Sequence, residues 1–285
     1  DTEIRCTVVD GGMMKSQKGV NIPGARLNMP FLSERDKSDL LFGIEQNVDY
    51  VAASFTRRAQ DIIDMRSFLN SHGGEGIRII AKIENTEGVE KFDEILAASD
   101  GIMVARGDMG VEIPFEQIPS IQKDLIHKGY NAGKQVITAT QMLESMINNP
   151  RPTRAEITDV ANAIYDGTSA IMLSGETAAG SFPVESVKTM ALIARTTEND
   201  IDYKKRFSRR ESDVFCNIAT AISHATVTTA HDLNAKAIVT VTKSGMTARM
   251  LSKFRPAYPI ICCTTSPVAR RQMNLSWGVI PLMAE

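Results

Sequence analysis

Short apolar segments alternate with amphipathic stretches from Ser33 onward, and this alternation is the feature that most constrains the fold. The apolar segments lie at 50–55, 78–84, 101–106, 135–140 and 170–174. They recur at roughly 30 residues, which is the length of one βα unit. Nearly continuous apolar strands separated by amphipathic helices are typical of a parallel sheet that is covered on both faces. The sequence therefore predicts an α/β fold.

Capping residues mark where several helices begin. Ser33 is followed three residues later by Asp36, and Thr153 by Glu156, which is the pattern of a capping box. Pro183 is suited to the first position of a helix. The predicted helices lie at 33–46, 59–70, 89–98, 120–132, from Thr153 onward and at 183–198.

Polar residues at the carboxyl ends of all five strands favour a closed barrel over an open sheet. These residues are Ser54, Lys82, Glu84, Arg106, Asp108, Thr140 and Ser174. A barrel collects its functional side chains from several strands at this rim, whereas an open sheet collects them at one switch point, usually with a glycine-rich first turn. We therefore predict a (β/α)8 TIM-type barrel, of which this chain holds five strands. The first three strands are expected to be absent, because eight are needed to close the wall.

Two further units flank the predicted barrel, which we assign to residues 30–200. Alternating residues over 3–9 indicate a strand that runs into the turn at 10–12, and residues 1–29 are interpreted as the remnant of a β lid domain. Residues 201–285 are predicted to form a smaller, truncated α/β domain with a regulatory role. Its predicted helices lie at 213–232, 247–254 and 268–273, and its strands at 237–242, 259–263 and 278–280.

Composition narrows the class of protein. The net charge is -2 and 43% of the residues are hydrophobic, so the bulk charge gives no reason to expect nucleic acid or a membrane as a partner. The first residues lack the basic and apolar regions of a signal peptide. The 4 cysteines lack metal-ligand spacing and are predicted to be buried free thiols in a reducing compartment, which places the protein in the cytoplasm.

Three charged residues at consecutive strand ends suit a metal-bound phosphate. Lys82 and Glu84 are two residues apart on a strand and therefore project from the same face. Asp108 follows the next strand between Gly107 and Gly110, where backbone N–H groups can approach an anion. Two carboxylates are what Mg²⁺ commonly takes from a protein. A structural ion pair and an ordinary glycine turn remain the alternative interpretations.

Hydroxyl groups at other loops also allow two interpretations. Thr140 and Ser174 can bind a substrate carboxylate or organise water, or they can simply satisfy backbone groups. Glu176 is expected to pair with Arg151 or Arg154. The segment 242–247 joins a strand to the beginning of a helix and is either a phosphate site or a plain glycine turn.

Six longer motifs resemble the pyruvate kinase family. They lie at 18–24, 80–85, 103–108, 139–146, 151–156 and 172–177. The resemblance extends over essentially the whole chain. It implies that a phosphoryl group passes from phosphoenolpyruvate to ADP, giving pyruvate and ATP.

The same resemblance implies roles for individual residues. Lys82 contacts the transferred phosphoryl group and stabilises the enolate, while Glu84 and Asp108 hold Mg²⁺ or Mn²⁺. The residues expected to bind substrate beside Lys82 are Arg106, Gly107, Asp108 and Thr140. Ser174 is expected near the path of proton delivery.

Further residues are implied to bind the nucleotide and an effector. Lys18, from the lid, is expected to reach the phosphates of ADP or ATP. Thr242, Ser244 and Thr247 resemble a clamp for a phosphorylated effector. The family also implies a homotetramer and a K⁺ ion whose ligands lie outside this chain.

Two other functions stay open at this point. One is a Mg²⁺-dependent lyase or mutase that passes through a pyruvate enolate, which would not need Lys18. The other is a fragment that binds or assembles without catalysis. Because the strands that supply part of the site's charge are expected to be absent, we also predict that this segment alone does not turn over.

Overall fold

A computed structural model describes Glu3, residues 5–13, Ser16, Val20, Ile22 and residues 29–208 and 217–284. In the first large part, strands alternate with helices. They are α1 (Glu34–Glu45), β1 (Tyr50–Ala53), α2 (Ala59–Ser71), β2 (Arg78–Ile83), α3 (Thr86–Glu90), α4 (Phe92–Ala98), β3 (Gly101–Ala105), α5 (Arg106–Glu112), α6 (Ile118–Asn131), β4 (Gln135–Ala139), α7 (Arg154–Asp166), β5 (Ala170–Met172), α8 (Gly175–Ala178) and α9 (Pro183–Asp200). Short 3₁₀ turns occur at Phe115–Gln117 and Glu144–Ile147.

The first five strands form one parallel sheet in the order β1-β2-β3-β4-β5. Every strand therefore pairs with its neighbour along the chain, as the wall of a (β/α)8 barrel requires. Ile79, Ala81 and Ile83 of β2 are buried in the core beneath the helices, whereas Ile80 belongs to a second apolar cluster on the opposite face. Burial on both faces explains the continuous apolar strands and confirms the predicted covered parallel sheet.

Both predicted capping boxes are present. The Ser33 hydroxyl accepts from Asp36 N and the Asp36 carboxylate accepts from Ser33 N, and Thr153 and Glu156 make the same reciprocal pair. Pro183 occupies the first turn of α9 as predicted.

Three local predictions need correction. The helix predicted at 89–98 is two helices, because Asn85 caps an earlier start at Thr86 and the chain turns at Lys91. The glycine-containing turn after β3 is the helix α5, so its two glycines are tolerated inside a helix. The strand predicted over 3–9 is absent at Glu3 and at residues 5–9, which are exposed and pair with no strand that the structure describes.

The second large part is a smaller α/β unit with a parallel sheet in the order β6-β7-β8. Its elements are α10 (Tyr203–Ser208), α11 (Ile218–Asp232), β6 (Ile238–Val241), α12 (Met246–Lys253), β7 (Ile260–Thr264), α13 (Pro267–Met273) and β8 (Val279–Met283). Helix α11 begins after an Asn217 cap, and the earlier start predicted for it, at 213–216, lies outside the described residues.

The cysteine prediction holds in part. Cys262 is buried and Cys263 is half-buried, and both are free thiols. Cys6 is also free but is exposed, because the segment around it packs against nothing that the structure describes. Cys216 lies outside the described residues. Within the described ranges, no helix combines the length and hydrophobicity needed to cross a bilayer.

The two units contact each other at the amino ends of the first sheet. The Tyr50 hydroxyl donates to the backbone carbonyl of Gln272 at 2.6 Å, and Gln135 Nε2 donates to the same carbonyl at 3.2 Å. Arg271 forms an ion pair with Asp49 at 2.7 Å. The second unit therefore contacts one end of the strands. The predicted site residues lie at the other end, after the carboxyl ends of β1–β5.

Candidate active site

Lys82 and Glu84 lie together at the carboxyl end of β2. Lys82 Nζ is 2.6 Å from Glu84 Oε1 and donates to Ser54 Oγ, after β1, at 2.9 Å. The two side chains share a face because strand residues two apart point the same way. The side-chain exposures are 21% for Lys82 and 0% for Glu84, so the ammonium reaches solvent while the carboxylate is enclosed.

The Glu84 carboxylate is only partly satisfied by the protein. Its Oε2 accepts a hydrogen bond from Phe55 N at 2.5 Å, which the left-handed backbone of Phe55 (φ 52°) makes possible. Its buried Oε1 receives no well-directed hydrogen bond, although Lys82 is close. Burial raises the pKa of Glu84, and the Asp108 carboxyl beside it raises it further, outweighing the opposing effects of Lys82 and Phe55 N.

This geometry fits a divalent cation. Two neighbouring carboxyl groups, one of them enclosed, are stabilised when a cation neutralises both. Among the described residues there is no cluster of three or more acidic, histidine or cysteine side chains suited to a metal. Glu84 and Asp108 would therefore supply two ligands and leave most of the coordination shell to water and substrate, as is usual for Mg²⁺.

Thr140, directly after β4, has an unusual backbone conformation. Its φ is 69° and that of Gln141 is 53°, in the left-handed region that a β-branched residue rarely adopts. The Thr140 hydroxyl donates to Ala139 O at 2.6 Å and accepts from Gly107 N, in the first turn of α5, at 2.7 Å. The ends of β3 and β4 are thus joined by one hydroxyl group.

Arg106 holds this turn in place. Its Nη2 donates to Thr140 O at 2.7 Å and to Gln141 O at 3.1 Å, and its Nη1 donates to Asp159 Oδ2 at 2.7 Å. The residue is buried and every guanidinium nitrogen donates to the protein. This geometry makes Arg106 a positioning residue for Thr140, and its predicted contact with substrate stays a prediction.

Ser174, after β5, is positioned by Glu176. The buried Glu176 carboxylate accepts from Ser174 N at 2.8 Å and from Leu143 N at 3.0 Å. The expected pairing of Glu176 with Arg151 or Arg154 is wrong, because the backbone N–H groups of Ser174 and Leu143 occupy this carboxylate instead.

Four contributing residues were not predicted as site residues. Ser54 carries a sequence signal, since it is a polar residue at a strand end like the others. Phe55, Asp159 and Glu176 act through backbone geometry or through contacts distant along the chain, which no local pattern reveals.

The predicted effector loop lies far from this site, between β6 and α12. Thr242 is buried and its Oγ1 accepts from Gly245 N at 3.1 Å, while Ser244 and Thr247 are exposed. The loop conformation needs glycine at Gly245, where φ is 79°. Lys18, the predicted nucleotide ligand, lies outside the described residues.

Two family models and several named proteins match this chain. Residues 1–187 match the family model described as pyruvate kinase, barrel domain, and residues 220–285 match pyruvate kinase, alpha/beta domain. The chain is 52% identical to a pyruvate kinase of Clostridium acetobutylicum, covering 100% of this chain and 60% of that protein. It is 53% identical to one of Sporosarcina psychrophila and 54% identical to one of Geobacillus stearothermophilus, covering 99% and 97% of this chain but 48% and 47% of those proteins.

The chain thus spans about half to 60% of the length of these relatives. Both family models match in chain order, the first over the five-stranded unit and the second over the three-stranded one. The chain belongs to the pyruvate kinase family.

Proposed function

We propose that the chain carries the catalytic centre of a pyruvate kinase, which transfers the phosphoryl group of phosphoenolpyruvate to ADP and forms pyruvate and ATP in the last step of glycolysis. One observation carries this proposal: Lys82 Nζ lies 2.6 Å from the enclosed carboxylate of Glu84, with Asp108 beside it. Phosphoryl transfer asks a protein mainly to position reactants and to neutralise spread negative charge. A cation next to paired carboxylates supplies both requirements.

Glu84 and Asp108 would hold Mg²⁺ or Mn²⁺. An ion held by these two carboxylates would supply positive charge that neutralises the phosphate oxygens. Lys82 places its ammonium at the transferred phosphoryl group and at the developing enolate oxygen. Ser54 Oγ fixes the direction of that ammonium through its 2.9 Å hydrogen bond.

Thr140 and Gly107 bind the carboxylate end of the substrate. Gly107 N donates to Thr140 Oγ1 at 2.7 Å and the Thr140 hydroxyl donates to Ala139 O, so a substrate carboxylate would replace these contacts to accept from both donors. Asp108, one of the two metal ligands, directly follows Gly107, so the metal site and the carboxylate site are adjacent. Ser174, whose backbone is held by Glu176, lies on the route by which a proton reaches the enolate carbon.

Family membership supports the remaining elements of the proposal. They are a lid at residues 1–29 that brings Lys18 to the nucleotide phosphates, a K⁺ ion held outside this chain, a homotetramer in the cytoplasm, and a phosphorylated effector clamped by Thr242, Ser244 and Thr247. The comparisons give no support to the alternative of a lyase or mutase.

The test of this proposal replaces Lys82, the positively charged side chain of the site. In the protein that contains this segment, we expect Lys82→Met to lower kcat about 10³-fold, because a preorganised charge at the transition state is lost. Mn²⁺ binding, followed by electron paramagnetic resonance, is expected to remain, since Glu84 and Asp108 are unchanged.

Lys37→Met is the matched control, because Lys37 forms an ordinary helix-surface pair with Glu34. It should leave formation of pyruvate from phosphoenolpyruvate and ADP unchanged. Full turnover by Lys82→Met would refute the proposal. An assay of residues 1–285 alone tests the separate expectation that this segment lacks part of the catalytic charge, and measurable pyruvate would contradict that expectation.

A further inference from the structure

A cleft of about 800 Å³ lies between the amino ends of β2 and β3 and the second domain. Lys82 and Glu84 lie at the other end of these strands, at the carboxyl end of β2. Its charged lining residues are Arg66, Glu75, Arg78, Asp100, Lys243 and Arg249. Four of these six are cations, so the cleft is locally basic although the whole chain has a net charge of -2.

Only one of the arginines in the cleft is neutralised by a carboxylate. Arg66 Nη2 is 2.6 Å from Asp100 Oδ2, and the same oxygen also accepts from Ile79 N at 2.9 Å. Neither Arg78 nor Arg249 forms an ion pair with any carboxylate that the structure describes. The strongest acceptor inside the cleft is therefore already committed to Arg66.

Arg78 and Arg249 converge on a neutral atom. Arg78 Nη2 donates to Ser244 O at 3.1 Å and Arg249 Nη1 donates to the same oxygen at 3.3 Å. One carbonyl dipole balances two full charges poorly, and both hydrogen bonds are exposed, so a ligand in the cleft can reach the two guanidinium groups. Burial lowers the pKa of Arg249 to about 10, with the charge of Arg78 acting in the same direction. The pair lacks an anion that would satisfy both guanidinium groups.

We propose that this cleft binds a small phosphate monoester, with Arg78 of the first domain and Arg249 of the second as its ligands. Guanidinium groups bind phosphate through paired, charge-assisted hydrogen bonds, which suits two arginines that face one space. The volume exceeds that of a bare phosphate, so the organic group of the ester has room beside it.

The site is separate from the effector clamp expected at the β6–α12 loop. Of the clamp residues, only Ser244 lines the cleft, and it presents its carbonyl to the arginines. Thr242 and Thr247 are not part of the lining. Because Arg78 and Arg249 come from different domains, a bound ester joins those domains. The inference does not depend on the catalytic proposal.

Isothermal titration calorimetry at constant ionic strength tests the proposal, with inorganic phosphate and glycerol 3-phosphate as probes. We expect both to bind, the ester more tightly. Arg78→Gln and Arg249→Met should each weaken binding about tenfold or more, the loss of a charged hydrogen-bond donor. Bound ester should also raise the midpoint of thermal unfolding, because it joins two domains.

Matched controls separate this site from others. Arg270→Gln removes an exposed arginine of the same domain and should bind the ester normally. Thr247→Ala removes a clamp hydroxyl and should keep the binding that depends on Arg78 and Arg249. If Arg249→Met does not fold, Arg249→Lys is the alternative. It keeps the positive charge but loses the planar guanidinium group that donates paired hydrogen bonds, and it should still weaken binding. Unchanged affinity in the folded Arg78 and Arg249 variants, absence of binding, or loss of binding in Thr247→Ala alone would each overturn the proposal.

Discussion

Thr140 illustrates how single residues shape the site. A β-branched residue at a φ of 69° is strained by about 1–3 kcal/mol, so the surroundings must hold it there. Arg106 does so through the carbonyl groups of Thr140 and Gln141, and Asp159 fixes Arg106 in turn. The hydroxyl that faces Gly107 is therefore preorganised before any ligand arrives.

Substitution of Gly107 tests whether its N–H approaches the substrate. A Cβ built at Gly107 would lie 3.4 Å from Thr140 Oγ1, which is ordinary contact, so Gly107→Ala is expected to fold normally. The added methyl group would occupy space in front of the N–H. We expect KM for phosphoenolpyruvate to rise about tenfold or more, as for the loss of a charged hydrogen bond. Steady-state kinetics measure this change.

Gly110→Ala provides the control for Gly107→Ala. Gly110 lies in the same helix and a Cβ there meets nothing within 4 Å. Its substitution should leave KM unchanged and raise stability by about 0.5–1 kcal/mol, because alanine favours a helix over glycine. An unchanged KM in Gly107→Ala would show that the substrate carboxylate binds elsewhere.

Some site residues are predictable from the sequence and others are not, for a physical reason. The pairing of Lys82 with Glu84 follows from the two-residue period of a strand, which is a local property. The role of Arg106 depends on Asp159, which is 53 residues away along the chain. Likewise, the φ of Thr140 is imposed by contacts from another element and leaves no mark on the neighbouring residues.

At the level of elements, the beginning of α7 is tied by one carboxylate to the 3₁₀ turn Glu144–Ile147, which follows β4. Glu156 accepts from Ser145 N at 2.7 Å and from Ser145 Oγ at 2.6 Å, while also accepting from Thr153 N at 2.7 Å. The capping box therefore does more than start a helix, because it also anchors the 3₁₀ turn that follows the Thr140 segment.

This cap should make stability depend on pH. Burial tends to raise the pKa of Glu156, but hydrogen bonds from Ser145 and Thr153 outweigh it and lower the pKa below its ordinary value of 4.5. An acid with a lowered pKa stabilises the fold above its unfolded pKa, and this contribution is lost as the pH falls through the folded pKa. We expect Glu156→Gln to lower Tm by about 2–4 °C at pH 7, because weakening a helix cap costs roughly 1 kcal/mol of stability.

Thermal unfolding of both proteins from pH 7 down to pH 3 measures this effect. The Tm difference between wild type and Glu156→Gln should shrink below pH 4.5, the ordinary pKa, as the native carboxylate is protonated. Glu144→Gln, at an exposed position in the same 3₁₀ turn, should show no such difference. A gap that stays constant over the whole pH range would contradict the assigned cause.

Most elements were predictable because their signals are local. Apolar strands and capping residues placed β1 to β5 and the starts of α1, α7 and α9 within a few residues. The helix α5 was missed because Gly107 and Gly110 favour a turn in isolation, and packing of Met109 in the core overrides that preference. The strand predicted at 3–9 failed because pairing, which no single segment encodes, decides whether a strand forms.

On the scale of the whole molecule, Gln272 connects the two domains. It is buried, and its Nε2 donates to Asp49 O at 3.2 Å and to Gly76 O at 2.9 Å. Its own carbonyl accepts from Tyr50 and Gln135. Docking of the domains removes these polar groups from water, so each one requires a hydrogen-bond partner within the interface.

Removal of that side chain should weaken the docking. We expect Gln272→Ala to lower the free energy of unfolding by about 1–3 kcal/mol, because two backbone carbonyls lose their donor. Urea unfolding followed by circular dichroism measures the change. Gln60→Ala, at an exposed position that bonds only Asp64 on the same helix, should change stability by less than about 0.5 kcal/mol. Equal effects of the two substitutions would mean that the docking contacts contribute nothing specific.

The sequential strand order also has a consequence for how the chain acquires its structure. Each pair in the first sheet joins neighbours along the chain, whereas the Tyr50–Gln272 contact spans 222 residues. Distant contacts form late because the intervening chain must first give up its freedom. During synthesis on the ribosome, β1 to β5 can therefore pair while α13 has yet to emerge, leaving Tyr50 and Gln135 hydrated until α13 has been translated.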